Sequence, residues 1–298
     1  MLAGGRSTRM GRPKASLEWH GSTLLHRVTG IVGRAVAGPV IVVRAPDQEL
    51  PELPPGVRVV EDPAEGRGPL QGIAAGLAAV ADEAELAYVS STDVPLLHPA
   101  FVRAVVRAAA GKTVAAGDAA GAGRLLAAGN GRIGDPVDVA LPVVHGYRHP
   151  LAAAYRTSLV PAVEELIAED RMRPAFLFER CRVVELSEED LLRDRELAEA
   201  DPELLSVLNL NEPDDYERAR SRAAPSVTVR RFGTLATNLG REPIAIRAAT
   251  LEAAATAAGV VLDRHVVAAL NGDQITRHPE LPLAGGDEVA FLAADAGG

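Results

Sequence analysis

The feature that most constrains this chain is an alternation of two hydrophobic patterns over roughly its first 220 residues. Some segments repeat apolar residues with helical spacing, and others are short apolar runs typical of buried strands. This alternation favours an α/β domain with a mainly parallel sheet. The helical segments are STLLHRVTGIVGRAV, GIAAGLAAV, LVPAVEELIAED and PDDYERARSR, and the strand segments are PVIVV, VRVVED, LAYVSST, CRVVEL and LLSVLNL, with a further apolar stretch at VDVALPVV.

The pattern changes after the segment RARSRAAPSV, which resembles a linker in composition. Strand-like VTVRRF, helix-like TLEAAATAAGV, strand-like VVAAL, an NGD turn and strand-like DEVAFLA follow it. These segments predict a compact α+β unit of about seventy residues. Because 298 residues exceed the usual size of one domain, two domains are expected. We place the first domain at residues 1–222, the linker at 223–226 and the second domain at 227–298.

Charge and cysteine content exclude several classes of protein. The chain has 31 Lys and Arg against 40 Asp and Glu, a net charge of −9, which argues against general affinity for nucleic acids or membranes but allows a local basic patch. The single cysteine, Cys181, cannot form an internal disulfide or a thiolate zinc cluster. The sequence shows no secretory signal pattern and no apolar run of membrane-spanning length, so we expect a cytoplasmic protein.

The basic patch lies in the first fourteen residues, MLAGGRSTRMGRPK. Gly4 and Gly5 can offer backbone N–H groups to phosphate oxygens without obstruction by side chains. The stretch is neither a Walker loop nor a dinucleotide-binding GxGxxG motif. The composition alone also allows a solvated basic arm. The cations that could neutralise a polyphosphate are Arg6, Arg9, Arg12 and Lys14.

Asp93 is the candidate metal ligand. It follows the apolar strand segment LAYVSST, and ligands of open α/β sheets bind at the carboxyl ends of strands. Mg²⁺ prefers hard oxygen ligands and usually takes one or two carboxylates, with water and substrate phosphate completing its shell. The alternative is that Asp93 only shapes the turn before Pro95.

Five segments carry a family resemblance. LAGGRSTRMGRPK resembles the signature LAGGxSxRMGxxK of nucleotidyltransferases, and especially of molybdenum cofactor guanylyltransferases. GPLQGIAAGL at 68–77 is similar to the family's GPLxGIxxGL, and STDVP at 91–95 is similar to its metal-binding DxP turn. HPLAAAY at 149–155 and the segment VLNLNEPDDY are similar to its QPLxALY and NxNTPEDL. The five segments occur in the family's order and span nearly all of the first domain.

The resemblance implies a Rossmann-like nucleotidyltransferase domain that transfers GMP from GTP to the terminal phosphate of molybdopterin, with Mg²⁺ as cofactor and pyrophosphate as the leaving group. Arg44 departs from the pattern, because the family often has Asn there. Asn209 and Asn211 would face the pterin or support the metal. The alternative is that they only form the turn before Pro213. The implied residues are Arg9, Lys14 and Asp93 for catalysis, Leu2, Ala3, Gly4, Gly5, Lys14, Asp62 and Asp93 for the nucleotide, Asp93 for the metal, and Asn209 and Asn211 for the pterin substrate.

The same resemblance places the glycine loop after a central first strand. Only Met1, Leu2 and Ala3 precede Gly4, whereas a strand needs about five residues. We therefore expect the first strand to be truncated, with the natural start a few codons upstream.

The last part of the chain resembles the small, ubiquitin-like β-grasp subunit of molybdopterin synthase. ALNGDQI and LAGGDEVAFL match that family's pattern, and the chain ends in Gly297 and Gly298, although AADAGG replaces its prolines. The resemblance implies a sulfur carrier whose Gly298 carboxylate is adenylated and becomes a thiocarboxylate. Its implied partners are the large subunit of molybdopterin synthase and an adenylating enzyme. Sulfur carriers for thiamine share the fold and the Gly-Gly ending.

Three alternatives stay open. The first is a CTP-dependent enzyme that makes the cytosine dinucleotide. The second is a sugar-phosphate nucleotidyltransferase, which the fold allows and the fused β-grasp unit disfavours. The third is a sulfur carrier whose first domain is an inactive, transferase-like scaffold.

Overall fold

The computed structural model describes residues 1–4, 13–63, 66–111, 124–126, 137–272 and 274–293. Contacts divide the chain into two units. The first comprises Met1–Leu17 and Leu24–Asn211, and the second comprises Glu18–Thr23 and Glu212–Gly298. Residues 212–222, which we expected at the end of the first domain, group with the second unit by contact, while the domain bounds themselves stay a prediction.

The strands are short and most belong to the first unit. Several contain β-branched residues in apolar runs, as at Ile41–Arg44, and these runs are buried where a strand lies inside a sheet. In chain order the strands are β1 (Glu18–Trp19), β2 (Ser22–Thr23), β3 (Ile41–Arg44), β4 (Arg58–Glu61), β5 (Leu86–Ser90), β6 (Arg124–Leu126), β7 (Val139–Val144), β8 (Tyr147–Arg148), β9 (Ala152–Arg156), β10 (Val183–Leu186), β11 (Ser226–Phe232), β12 (Ile244–Arg247), β13 (Val266–Leu270), β14 (Gln274–Thr276) and β15 (Glu288–Ala293).

Local signals set where several helices begin. Proline occupies the first turn of five of them. A backbone N–H there would have no intrahelical partner, so its absence in proline costs no hydrogen bond. Ser187 and Asp190 form a capping box at another helix start. The helices are α1 (Leu24–Ala35), α2 (Pro69–Ala78), α3 (Pro99–Ala109), α4 (Val160–Ala168), α5 (Pro174–Phe178), α6 (Glu188–Leu192), α7 (Arg195–Ala200), α8 (Pro213–Arg220), α9 (Thr234–Leu239) and α10 (Leu251–Ala257).

The sheet of the first unit mixes parallel and antiparallel strands, and the α/β class is confirmed. β3 and β4 are parallel, as are β7 and β10. β9 runs antiparallel to both of its neighbours, β5 and β7, and β6 runs antiparallel to β10. Since β7, β8 and β9 follow one another with no intervening helix, the chain reverses there as antiparallel strands do.

Residues 1–3 join the two halves of this sheet. Leu2 makes parallel bridges to Val43 on one side and to Ser91 on the other. The Leu2 N–H donates to Ser90 O at 2.8 Å, and the Ala3 N–H donates to Val43 O at 2.8 Å. The first residues therefore lie between β3 and β5, which is the central position that the family resemblance predicts for the first strand.

An apolar cavity of about 260 Å³ opens between β3 and β5 on the amino side of Leu2. We call it the lower groove. Its lining includes Met1, Gly38, Ile41, Leu86 and Tyr88. The Met1 ammonium donates to Ile41 O at 2.9 Å, and burial lowers its pKa from 8.0 to about 5. The Met1 nitrogen thus continues, in this direction, the backbone pairing that Leu2 makes with β3.

Helices pack on the first sheet, and the hydrophobic core lies between these helices and the strands. The main apolar cluster packs α2 and α4 against β5, β7 and β9, with Leu70, Leu166 and Tyr155 buried completely. Burying a side chain of this size stabilises the fold by about 1.5–3 kcal/mol relative to leaving it exposed. This core holds α2 against the strands, which fixes the position of the amino end of that helix.

The second unit is a β-grasp domain. Its five-stranded sheet has the order β12-β11-β15-β13-β14, with β11 and β15 parallel and the other pairs antiparallel. α10 packs on one face, where Val229, Leu251 and Phe291 are fully buried. The hairpin β1–β2 and α8 group with this unit, and Arg220 of α8 forms an ion pair with Glu18 at 2.6 Å.

One segment differs from the sequence prediction. LLSVLNL was predicted to be a strand, but it contains a 3₁₀ turn at Leu205–Val207. Leu204, the first residue of this segment, takes a left-handed conformation with φ of 51°, which is incompatible with a strand. Leu204, Val207 and Leu210 are still buried, although they belong to a loop rather than a strand.

Candidate active site

A polar cavity of about 430 Å³ lies at the carboxyl ends of β3 and β5, on the opposite side of Leu2 from the lower groove. We call it the upper cavity. Asp62 directly follows β4, and Asp93 lies shortly after β5. Because β3 and β4 are parallel and Leu2 joins them to β5, these loops meet at one edge of the sheet. Six of the predicted site residues line the upper cavity, namely Leu2, Ala3, Gly4, Lys14, Asp62 and Asp93.

The wall of the upper cavity needs glycine where main chains come close. A Cβ at Gly4 would lie 3.2 Å from the Ala45 backbone nitrogen. Gly68, just before α2, has φ of 117°, and a Cβ there would lie 3.1 Å from Met172 O. A Cβ at Gly72 would lie 3.1 Å from a methyl of Leu2. Gly72 therefore allows α2 to approach Leu2, whereas Gly4 and Gly68 allow the main chain to pass close to Ala45 and Met172.

The amino end of α2 faces the upper cavity. Gly68, Pro69 and Gly72 line it, and the ten-residue helix runs away from it. The first N–H groups of a helix have no intrahelical partners and carry partial positive charge. An anion in the upper cavity would therefore meet the positive end of α2 as well as Lys14.

Lys14 and Asp93 form the ionic centre of the upper cavity. Lys14 Nζ donates to Asp93 Oδ2 at 2.8 Å, and the two side chains are only 20% and 17% exposed. Ser91 Oγ donates to the other carboxylate oxygen, Oδ1, at 2.6 Å. The backbone of Asp93 is also held, because the Leu210 N–H donates to its carbonyl at 2.9 Å. The carboxylate is thus fixed in position and pairs with a cation that belongs to the phosphate-binding motif.

Gln48 is a cavity-supporting residue that the sequence analysis missed. Its Nε2 donates to Ala3 O at 3.0 Å, and its Oε1 accepts a hydrogen bond from the Ala45 N–H at 2.9 Å. Ala3 and Ala45 both line the upper cavity. The Gln48 amide therefore fixes the spacing of two backbone segments on one wall. Ser91 was also missed, although a hydroxyl two residues before Asp93 in STDVP could have been noticed.

Comparison with known proteins places this geometry in a family. Residues 1–183 match the family of MobA-like NTP transferase domains. A probable molybdenum cofactor guanylyltransferase of Mycobacterium bovis is 36% identical over 170 residues, which cover 56% of this chain and 71% of the relative. A protein of the same name from Mycobacterium avium is 34% identical over 171 residues, covering 56% and 73%. The chain belongs to the MobA-like NTP transferase family.

The fold agrees with a solved member of this family. The crystal structure of molybdopterin-guanine dinucleotide biosynthesis protein A from Archaeoglobus fulgidus superposes with a TM-score of 0.51 at 21% identity, covering 74% of this chain and 94% of that chain. Membership of the MobA-like family makes this chain a nucleotidyltransferase. The shared fold confirms its fold class. None of its described helices is both long and apolar enough to span a membrane.

The remaining predicted residues of the MobA-like domain differ in what the structure describes. Asn209 and Asn211 are exposed and lie outside the upper cavity, although Leu210 between them bonds to the Asp93 backbone. Their role toward the pterin stays a prediction. Gly5, Arg9 and the C-terminal Gly298 lie outside the described residues, as do Arg6, Arg12 and Gly297.

Arg44 turns away from the upper cavity of the MobA-like domain. Its guanidinium pairs with Glu61 at 2.6 Å and donates to Gln48 O at 2.9 Å. It lines a separate surface depression with Leu50, Pro51 and Leu53. The position at which the family often has Asn therefore provides an ion pair on the outer side of β3.

Two other chemical possibilities find no support in the described part of the MobA-like chain. Cys181 is buried, and burial followed by the nearby Asp138 charge raises the pKa of its thiol to about 12, so it is not a poised nucleophile. Within the described ranges, no group of three or more His, Cys, Asp or Glu side chains is arranged to hold a metal. Asp62 and Asp93 are carboxylates that line the upper cavity.

Proposed function

We propose that this chain transfers GMP from GTP to the terminal phosphate of molybdopterin and releases pyrophosphate. The observation that carries the proposal is the Lys14–Asp93 pair in the upper cavity, beside the amino end of α2. The names of the two mycobacterial relatives support the choice of base and acceptor.

The reaction needs no protein nucleophile. A terminal phosphate oxygen of molybdopterin forms a bond to the α-phosphorus of GTP, and the bond between that phosphorus and the α,β-bridging oxygen breaks. Pyrophosphate carries away the electron pair. The protein therefore contributes orientation and charge neutralisation. Lys14 and the amino end of α2 suit the phosphates, and we assign Arg9 and Gly5 the same role from the motif.

The nucleoside would lie along the wall built by Leu2, Ala3 and Gly4. This wall is rigid because β3 and β5 hold residues 1–3 and because the Gln48 amide fixes Ala3. Asp62 lines the same cavity from the end of β4 and is the proposed carboxylate partner of the nucleotide. Asn209 and Asn211 remain proposed contacts to the pterin or supports for the metal.

The donors present fit Mg²⁺ that is shared with the substrate. Mg²⁺ often takes one or two carboxylates and keeps its other sites for phosphates and water, and Asp93 is the carboxylate available to it. When bound, the ion neutralises charge on the reacting phosphates. Asp93 is the residue that holds it, Ser91 orients that carboxylate, and Lys14 supplies a second positive charge.

The decisive experiment measures pyrophosphate release from GTP and from CTP with Mg²⁺ and molybdenum-loaded molybdopterin. Release with GTP, and formation of the guanine dinucleotide by mass spectrometry, would support the proposal. Release with CTP alone would establish the cytidylyltransferase alternative. Release only when a sugar phosphate replaces molybdopterin would establish the sugar-phosphate alternative.

A second function is favoured by the open face of the β-grasp sheet. Phe232 and Leu292 are neighbours in the register of β11 and β15 and are 46% and 36% exposed. Ile275 of β14 lies on the same face and is 75% exposed. Exposed apolar side chains grouped on one face typically mark a protein contact. In the sequence, Gly297 and Gly298 follow shortly after β15.

We accordingly propose that the second unit also carries sulfur as a thiocarboxylate on Gly298. Its partners would be an adenylating enzyme and the large subunit of molybdopterin synthase, docked on the open sheet face. The test incubates the full chain with such an adenylating enzyme, ATP and a sulfur donor. Intact mass spectrometry should show one oxygen replaced by sulfur, and deletion of Gly298 should abolish the change. This change without any nucleotidyl transfer would establish the carrier with an inactive scaffold.

A further inference from the structure

We propose that Lys14 and the divalent cation compete for the same oxygen of Asp93, so that the cation enters the upper cavity together with the nucleotide. This inference rests on the proposed metal role of Asp93. It concerns the order in which ligands occupy the site, which the proposed reaction does not determine.

The competition follows from how the carboxylate is held. Ser91 Oγ donates to Oδ1 at 2.6 Å, and Lys14 Nζ donates to Oδ2 at 2.8 Å. Both oxygens of Asp93 therefore have donors before any ligand binds. A cation that approaches Oδ2 would meet the Lys14 ammonium at close range. Because both side chains are largely buried, the repulsion between the two positive charges is poorly screened.

The backbone of Lys14 is fixed, so its side chain is the part that exchanges partners. Lys14 begins a 3₁₀ turn, and the Leu17 N–H donates to its carbonyl at 3.1 Å. The next residue, Ala15, is 2% exposed and belongs to an apolar cluster with Ala3 and Val42. The flexible Lys14 stem can therefore turn its ammonium from Asp93 to a phosphate while the turn stays in place.

The nucleotide makes this exchange favourable. Its phosphates give Lys14 a new anionic partner and also supply oxygen ligands to the cation. Each ligand then raises the affinity of the site for the other, and linkage requires the two effects to be equal. A nucleotide-free chain should bind the cation weakly even though Asp93 is present.

A substitution at Lys14 separates this proposal from a simple phosphate-binding role. If Lys14 only binds phosphate, its removal leaves cation binding to the free protein unchanged. If it competes with the cation, Lys14→Met should tighten cation binding to the free protein by roughly fivefold or more, in the usual range of coupling between sites. The same variant should weaken nucleotide binding. Lys14→Arg keeps the charge and serves as the matched control, with cation binding close to wild type.

The experiment titrates the full, nucleotide-free chain with Mn²⁺ and follows free Mn²⁺ by electron paramagnetic resonance. Tighter binding by Lys14→Met, abolished in the Lys14→Met/Asp93→Asn double variant, is the expected result. Binding no tighter than wild type in both Lys14→Met and a second variant, Lys14→Gln, would overturn the proposal, with circular dichroism confirming that both are folded. The titration involves no GTP turnover, so its outcome is independent of whether the wild-type chain releases pyrophosphate.

Discussion

The upper cavity and the lower groove lie on opposite sides of Leu2, which lines both, yet they have opposite chemistry. The upper cavity contains Lys14, Asp62 and Asp93, supplied by loops at the carboxyl ends of strands. The lower groove is lined almost wholly by apolar side chains, such as Ile41 and Leu86. The comparison shows that the charged side chains lie at the carboxyl ends of the strands, where α/β sheets bind their ligands, and not at the opposite ends.

The largest expected effect tests the upper cavity. Asp93→Asn keeps the size of the side chain but removes the charge that pairs with Lys14 and would hold the metal. We expect nucleotidyl transfer to fall by roughly a thousandfold, because in the proposed function this carboxylate would position the ion that neutralises the reacting phosphates. Pyrophosphate release at saturating GTP measures the loss.

Asp82→Asn is the matched control, since Asp82 is exposed and is not part of the lining of the upper cavity. It should retain wild-type activity. Normal release by the Asp93 variant would remove Asp93 from the metal role.

A pair of glycine substitutions compares the two openings directly. Gly68→Ala beside the upper cavity forces φ of 117° on alanine and brings its Cβ to 3.1 Å from Met172 O. We expect a loss of about 1–3 kcal/mol in the free energy of unfolding. Gly38→Ala in the lower groove meets no atom within 4 Å and should be neutral or slightly stabilising. Similar melting temperatures for the two variants would show that the close approach at Gly68 is relaxed at no cost.

The smallest effect concerns Ser91. Ser91→Ala removes the hydrogen bond to Asp93 Oδ1, and such bonds to charged groups are worth about 1.5 kcal/mol or more, so activity should fall roughly tenfold. The Mn²⁺ concentration for half-maximal binding in the presence of GTP should rise as well. Ser91→Thr keeps the hydroxyl and should recover most of both properties. A fall in activity that threonine does not restore would indicate a packing role instead.

Much of the upper cavity could be predicted because its residues come in short motifs. LAGG, the STDVP turn and the glycines of GPLQGIAAGL each carry a local requirement, such as a close backbone approach or the end of a buried strand. The parallel pairing of β3 with β4 and the bridges of Leu2 then bring these motifs to one edge. Local sequence signals were therefore sufficient to predict these residues, because the strand pairing of the sheet brings the motifs together.

The parts that could not be predicted depend on contacts between distant segments. Gln48 donates a hydrogen bond to Ala3, which lies 45 positions earlier in the sequence, and no sequence pattern around Gln48 predicts that contact. Leu204 begins an apolar segment in a left-handed conformation, which periodicity alone does not reveal. The antiparallel entry of β9 between β5 and β7 likewise depends on tertiary pairing, since its apolar composition suits either direction.

The placement of β15 has a consequence for how the chain folds during synthesis. It is the last strand along the described chain, yet it lies inside its sheet and pairs with β11 on one side and β13 on the other. While the ribosome is still making Glu288–Ala293, both neighbours present unpaired edges, and the β-grasp core cannot close. The transferase strands have all emerged by then. We therefore expect the nascent chain to gain its nucleotide-binding unit first and to need protection from aggregation until its final strand arrives.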